Sequence, residues 1–472
     1  MSLKRKVAQN TIIQIIGKSV TTTLGILALV LMTRYLGPEG FGQYTTISSF
    51  LMFFGILLDF GLTLVTAQML AEPGIDTNKT LSNLFTVRFF SALIFFSLAP
   101  IIALFFPYPK IVKISIALAT FSYFLISLIQ VLVGLFQNNL AMGKVVLAET
   151  FGRLTLFFLI IVTIWLNGGI LGIVLTTIIA TIVNFVFQFL FSFKYARLGF
   201  AFDLTLWRKI FHKAWPLAFG IAFNLIYFKA DTIILSIYRT QAEVGLYGAP
   251  YRVLEVALTI PTMFMGIILP ILTNLWLSKK FFDFEKVIKM SFDFLMILAV
   301  PMVAGILILA KPLMVLVAGP AFYPSGDILK ILILASGIIF AGTFFGHIVV
   351  AIEKQKQMIW AYFLTALLSL IGYLIFIPRY SYFGAAWVTV FSESLIAIIG
   401  FWVVWRTTKV RLSLNVSAKA LAASLVMAGF ILLFRNYNFF FLLIGSFVIY
   451  FVSLYLLRGF SKESVLEIIK IK

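Results

Sequence analysis

The residues of this chain with chemistry to perform are the ionisable side chains that interrupt its long apolar runs. Lys18, Asp59, Arg88, Glu149, Arg153, Lys229, Asp231, Arg252, Glu255, Asp293 and Glu393 all fall inside such runs. A charge at the centre of a bilayer costs about 2.5–3.5 kcal/mol on insertion scales, so such residues face a bundle interior or a wet cavity. Lys18 lies about 12 Å into its run at 1.5 Å per residue, among Gly17, Ser19, Thr21, Thr22, Thr23 and Gly25. That is a wettable stretch in an otherwise greasy segment. Lys18, Lys229 and Arg252 are the candidate substrate-binding cations, because Lys and Arg are the usual partners of phosphate oxygens. Asp59, Asp231, Glu255 and Glu393 are the candidate carboxylates for ion coupling or for pairing within the cavity. A structural alternative stands beside this reading: Lys229 with Asp231 and Arg252 with Glu255 would be ion pairs that only hold helices together. Arg88 and Asp293, near the ends of their runs, are expected to snorkel to the surface. Glu149 and Arg153, four apart, are expected to pair on one helix face.

Other chemistry has little to work with. There is no cysteine, and His212 and His347 are far apart in sequence. Neither a metal-ligand pattern nor a GxxxxGK phosphate loop occurs, so no metal, no cofactor and no ATP hydrolysis are expected. Catalytic residues are expected to be absent, and transport is the default.

These charges must be positioned by membrane helices. The 472 residues are 62% apolar and 11% charged, against about 45–50% and 25% in soluble domains. Continuous apolar runs argue against a barrel, whose strands alternate over about 10 residues. Hydropathy predicts an all-α polytopic protein of about fourteen spans, from residues 10–33 to 438–457. The first run is too long for a signal peptide and is read as a permanent span. No connection has the length of a soluble domain. Lys and Arg favour the loops on the termini's side by roughly three to one, which puts both termini in the cytoplasm of a multi-pass cell-membrane protein. The net charge of +20 is thus a topology signal and an attraction to anionic membrane lipid, not a nucleic-acid signature. Residues 203–213 and the tail SKESVLEIIKIK are expected to lie on the inner leaflet as amphipathic helices. Pro261, Pro270 and Pro301 fall within spans and favour kinks.

An internal repeat divides the chain. Tyr35, Gly42 and Tyr44 recur as Tyr238, Gly245 and Tyr247, and Lys144, Gly172 and Thr177 recur as Lys356, Gly384 and Thr389. The expected organisation is a six-helix lobe over 1–200, a second over 201–412 and two added helices with a tail over 413–472. Six spans per half make the repeat parallel.

The stretch Arg34, Tyr35, Leu36, Gly37, Pro38, Gly40, Phe41, Gly42, Tyr44 resembles the first turn of the polysaccharide-biosynthesis (O-antigen type) flippases. Asp231, Val244, Gly245, Tyr247 and Arg252 resemble their span 7–8 junction. That family is the oligosaccharidyl-lipid branch of the multidrug/oligosaccharidyl-lipid/polysaccharide exporter superfamily. The resemblance implies a fold like that of the multidrug exporters and the peptidoglycan-precursor flippase, with two lobes around a central cavity. It implies alternating access and a polyprenyl-(pyro)phosphate-linked glycan moved from the inner to the outer leaflet. It implies a cationic cavity, here filled by Lys18, Lys229 and Arg252, a lipid-tail groove in the last two spans, and glycan polymerase or ligase machinery as partners. A drug–cation antiporter is disfavoured, since residues 10–33 carry Lys18 and no acid. The peptidoglycan-precursor flippase is a second alternative. A membrane-embedded polymerase or ligase is a third, but the longest external segment, around 311–327, carries only Lys311, Asp327 as charges.

Overall fold

A straight helix of 57 residues would be about 86 Å long, nearly three times the hydrocarbon core of a bilayer. The chain opens with such a run, α1 (Leu3–Asp59), and breaks it at Gly37, where φ is 63° and ψ is −176°. Pro38 follows as the first residue of the second arm, where its missing N–H costs nothing. The first arm holds the first span expected from hydropathy, and the second arm together with the next helix, Leu62–Leu70, holds the second, 42–68. The computed structural model describes residues 3–72 and 74–459. The expected amphipathic tail, 461–472, lies outside the described residues.

The remaining helices are α2 (Leu62–Leu70), α3 (Thr77–Leu104), α4 (Lys110–Asn138), α5 (Met142–Trp165), α6 (Gly169–Ser192), α7 (Leu204–Tyr238) and α8 (Gln241–Leu277). They are followed by α9 (Phe281–Ala318), a 3-10 turn (Pro320–Phe322), α10 (Ser325–Ala351), α11 (Gln355–Thr408), α12 (Asn415–Leu433) and α13 (Phe439–Leu456). No strand occurs among the described residues. Eleven of these helices are long and apolar enough to cross a membrane, and each of the fourteen expected spans falls on a helix or helix arm. The count differs because α1 and α11 each contain two spans and because α7, which holds the seventh expected span, is not among the eleven. The helices run through Pro261, Pro270 and Pro301.

α11 is a hairpin. It breaks at Ser381, with φ 54° and ψ −137°. A Cβ on Gly372 would stand 3.1 Å from Val388, and one on Gly384 would stand 2.4 Å from the Phe376 carbonyl. The Tyr373 hydroxyl is 3.4 Å from Thr389 Oγ1. These pairs advance in opposite directions from a common centre, so the two arms lie antiparallel in contact.

The chain forms two compact units, Met1–Gly245 and Leu246–Lys472. In the first, Phe50, Phe54, Phe96 and Tyr108 join α1, α3 and the start of α4, and Val65, Met69, Leu84 and Leu135 join α2, α3 and α4. In the second, Leu272, Phe284, Phe340 and Phe344 join α8, α9 and α10. A satellite cluster around Met427, Tyr450 and Leu454 packs α12 and α13 against α9. Its Tyr450 hydroxyl donates to the Ile297 carbonyl at 2.7 Å.

Residues that recur in the sequence make similar local contacts. Gly172 and Gly384 are both close-approach glycines: a Cβ on Gly172 would stand 2.5 Å from Thr163 on the facing helix. Thr177 donates to the Ile173 carbonyl at 2.9 Å and its repeat partner Thr389 donates to Ala385 at 3.0 Å. Gly42 and Gly245 meet each other. A Cβ on Gly42 would fall 1.6 Å from the Gln241 carbonyl oxygen, and one on Gly245 would fall 1.9 Å from that of Pro38. Pro38 and Gln241 are themselves repeat equivalents, so the contact is a pseudo-two-fold crossing of two helix starts. Thr46 Oγ1 donates to Gln241 Oε1 at 2.7 Å across it. α8 starts there with a capping box: the Thr240 N–H reaches Glu243 Oε2 at 3.1 Å and the Glu243 N–H reaches Thr240 Oγ1 at 3.3 Å.

Candidate functional site

Arg153 was expected to pair with Glu149, and it does not. Its guanidinium lies beside Gly25 of α1, with Nη1 3.8 Å from where a Cβ on that glycine would be. Arg153 is exposed, although it sits near the middle of α5, eleven residues from Met142 and twelve from Trp165. A charge at that depth facing hydrocarbon would cost about 2.5–3.5 kcal/mol, which favours a wet face over a lipid-facing one. Lys18 is also exposed and lies seven residues before Gly25, two helical turns along the same face of α1. α1 and α5 run in register here, since Gly143 approaches Ile13 and Gly17 approaches Val146. Lys18 and Arg153 are thus both exposed along the α1–α5 seam of the first unit. Thr21 and Thr23, expected to wet the stretch, turn their hydroxyls onto the Lys18 and Ser19 carbonyls at 3.1 and 2.9 Å.

The other candidates fall elsewhere. Lys229 is half-buried on α7 in the first unit. Asp231, two residues on, is fully buried, and its Oδ1 accepts the Thr232 N–H at 2.6 Å and the Thr232 hydroxyl at 3.1 Å. Arg252 belongs to the second unit, on α8. Its Nη1 is 2.8 Å from Glu255 Oε2, and 39% of its side chain remains exposed. Glu393 is buried on the second arm of α11.

Asp59 has the partner that the sequence did not identify. Arg88 Nη2 is 2.7 Å from Asp59 Oδ1, and Arg88 Nε donates to the Ser127 hydroxyl and carbonyl at 3.0 and 3.1 Å. The Thr63 hydroxyl also donates to Asp59. Arg88 is only 3% exposed, which corrects the expectation that it snorkels. Span 2 explains why. It is interrupted immediately after Asp59, at Phe60 (φ 43°) and Gly61 (φ 81°), and α2 restarts beyond. The interruption sets the carboxylate against α3, where a fixed partner outweighs a route to water.

On the termini's side of this unit, the connection from α6 to α7 is strapped onto α3. The N–H groups of Arg197, Gly199, Ala201 and Asp203 donate to Asn78 Oδ1, Ser82 Oγ, Thr86 Oγ1 and Asn83 Oδ1 at 2.9, 3.3, 3.0 and 2.9 Å. Alternate donors of an extended segment thus meet one polar stripe of a helix. Asp203 caps α7 through the Thr205 and Leu206 N–H groups and pairs with Lys79 at 2.7 Å. Lys79 first, and then the Leu206 N–H, hold the Asp203 carboxyl below the usual range. Glu72 accepts from both Lys209 and Lys213, which bring its carboxyl down to about 2. Residues 203–213 therefore do not simply float on the leaflet. Ile210 is fully buried, and Leu206 and Trp207 pack on the α2–α4 core. Phe211 remains exposed.

With this geometry in place, the comparisons acquire meaning. The sequence profile described as polysaccharide biosynthesis protein matches residues 7–276. No curated protein matches the chain. Among solved structures, the chain is similar to the lipid II flippase MurJ in an inward closed conformation, at 16% identity and a TM-score of 0.78, covering 97% of this chain and 99% of that one. It is also similar to an inward-facing multidrug resistance MATE transporter of the MOP superfamily, at 15% identity and a TM-score of 0.68, covering 82% and 94%. A MOP superfamily transporter from Pyrococcus furiosus matches at 14% identity and a TM-score of 0.61, covering 86% and 96%. These likenesses establish the fold that the sequence resemblance implied.

Proposed function

The chain belongs to the polysaccharide biosynthesis protein family, and from that premise we propose that it flips a polyprenyl-(pyro)phosphate-linked oligosaccharide across the cell membrane. The cargo would be the repeat unit of an O-antigen, a capsule or another surface glycan, passed from the cytoplasmic to the outer leaflet by alternating access. The observation that carries this reading is the exposure of Lys18 and Arg153 along the α1–α5 seam, at mid-span depth where only an anionic guest offsets the cost of the charges. Lys229 and Arg252 are proposed as further contacts of the phosphate. Asp231, Glu255 and Glu393 are proposed as the carboxylates that couple an ion or balance the cations, and Asp59 as one that acts through Arg88. The repeat halves 1–200 and 201–412 are proposed as the lobes, and 413–472 as an added seat for the lipid tail. Released product would pass to glycan polymerase or ligase machinery.

A second reading has its own support. The structural likeness to the lipid II flippase spans almost the whole chain, so a peptidoglycan precursor is the alternative cargo. A cationic drug is disfavoured, because Lys18 and Arg153 repel it.

The test is translocation in proteoliposomes with a fluorescent polyprenyl-pyrophosphate oligosaccharide. Wild type is compared with the triple variant Lys18→Ala, Lys229→Ala, Arg252→Ala and with Arg153→Ala. Transport by wild type and its loss in both variants is the expected result. Equal transport by all three would remove these cations from the site. No transport of the glycan lipid, beside transport of lipid II, would move the assignment to the second reading.

A further inference from the structure

The second unit carries a small apolar crevice that the transport reading does not use. It is a small, half-open apolar notch, so a chain lies along its wall and is not enclosed by it. Its floor includes Ile288 and Phe345, which are buried, and Phe401 and Trp405 wall it from α11. Val410 and Leu412 complete it. No charged residue lines it.

The chain just after α11 explains how the crevice forms and what stands at its mouth. Lys409 closes α11 in the left-handed conformation, with φ 59° and its N–H on the Trp405 carbonyl at 2.9 Å. The segment after it is non-helical. Val410 and Leu412 turn onto the core of the unit while Lys409 and Arg411 stay exposed, an alternation of period two. Arg406 lies over the Trp402 ring at 5.1 Å and Lys409 over the Trp405 ring at 5.2 Å. Both tryptophans are themselves exposed. From Trp402 to Leu412 there are three cations and no acid. Exposed Trp rings under Arg and Lys, at a helix end on the side richest in basic loops, mark the headgroup level of a bilayer.

From this arrangement we propose that the crevice is a binding site for one anionic phospholipid. An acyl chain lies in the crevice against Phe401 and Trp405, and the phosphate meets Arg406, Lys409 and Arg411. A zwitterionic lipid offers the same chains, but its ammonium cancels the attraction. The proposal does not depend on the identity of the transported lipid.

The test is native mass spectrometry of the full chain in detergent, with phosphatidylglycerol or phosphatidylcholine added. Wild type is expected to retain phosphatidylglycerol roughly tenfold better, since each surface cation near a bilayer adds appreciable attraction to anionic lipid. The variant Arg406→Gln, Lys409→Gln, Arg411→Gln is expected to lose that preference. Leu412→Trp, which fills the crevice and keeps the charge, is expected to weaken retention as well. A charge-matched control, Lys279→Gln, Lys280→Gln, Lys356→Gln, is expected to behave as wild type. Equal loss in the control would overturn the proposal in favour of diffuse surface attraction. Equal retention of the two lipids by wild type would overturn it outright. Displacement of phosphatidylglycerol by an equimolar long-chain polyprenyl phosphate would also overturn it, by giving the crevice to the transported lipid class.

Discussion

Arg88 and Glu72 show two ways in which a single charge is held in this protein. Arg88 is buried at 3% exposure against Asp59 and Ser127, and removing one partner of a buried pair leaves the other uncompensated. That costs about 3–5 kcal/mol, whereas replacing both partners with apolar residues of similar volume is often neutral. Asp59→Leu is therefore expected to lower the thermal unfolding midpoint in detergent sharply. The double variant Asp59→Leu, Arg88→Met is expected to recover most of the loss, and a double variant no better than the single would show that the pair is not what holds this site. Glu72 lies at the surface, and its carboxyl is held at about 2 by Lys209 and Lys213, from an ordinary 4.5. A carboxyl depressed on folding adds stability that is complete above its unfolded value and is lost as pH falls toward its folded value. The strap of residues 197–213 on α2 and α3 is thus expected to loosen between about pH 4.5 and pH 2. Hydrogen exchange at the Arg197, Gly199, Ala201 and Asp203 amides, corrected for intrinsic rates, should rise across that window. In Glu72→Gln the rise should be smaller and the exchange faster at neutral pH. Neither residue's environment was legible in the sequence. Arg88 looked like a snorkelling end residue because its distance along the helix was visible and the facing carboxylate was not.

At the scale of elements, the spans were legible because hydropathy needs only local composition, and the repeat was legible because six residues recur at nearly constant offsets. What the sequence hid was where helices touch. Glu149 and Arg153 satisfy the i, i+4 rule for a pair, yet Arg153 lies beside Gly25 on another helix, a contact that no periodicity reveals. Residues 203–213 read as a free amphipathic helix because their partners are remote in sequence: Asn83 is more than a hundred residues away, and the α2–α4 core ends well before the segment begins. Gly42 and Gly245 belonged to the legible set, as repeat markers, but their mutual contact was not. The crossing predicts equal intolerance at equivalent sites. A methyl at either glycine would overlap a backbone carbonyl, and a carbonyl inside a helix start cannot swing aside as a flexible side chain can. Gly42→Ala and Gly245→Ala are each expected to abolish accumulation of folded protein, as read by monodisperse elution in detergent. Gly266→Ala, on α8 with open space around it, should be tolerated. A normal yield from either crossing variant would show that the helix starts can separate at little cost.

At the scale of the whole molecule, charge and topology explain each other, and the absence of cysteine makes the explanation testable. The 37 Lys and Arg against 17 Asp and Glu would suit a nucleic-acid surface only if they were gathered on one exposed domain. Instead they punctuate the ends of apolar helices, and their bias toward one set of loops assigns the sides. On that assignment Asn167, between α5 and α6, and Tyr437, between α12 and α13, face outward, while Ser278, between α8 and α9, and Ser413, before α12, face the cytoplasm. Each of these loops is short and lies at a helix end, so a substituted side chain there disturbs no span. Single cysteines placed at the four positions supply the only thiol in the protein. In intact cells a membrane-impermeant maleimide should label Asn167→Cys and Tyr437→Cys at once, and label Ser278→Cys and Ser413→Cys only after the membrane is opened. The reverse pattern would invert the protein and place the Arg406, Lys409 and Arg411 cluster on the outer leaflet. A mixed pattern would break the even span count on which the alternation of sides rests. The expected pattern would support the assignment of sides on which the proposed loading of Lys18 and Arg153 from the cytoplasmic leaflet depends.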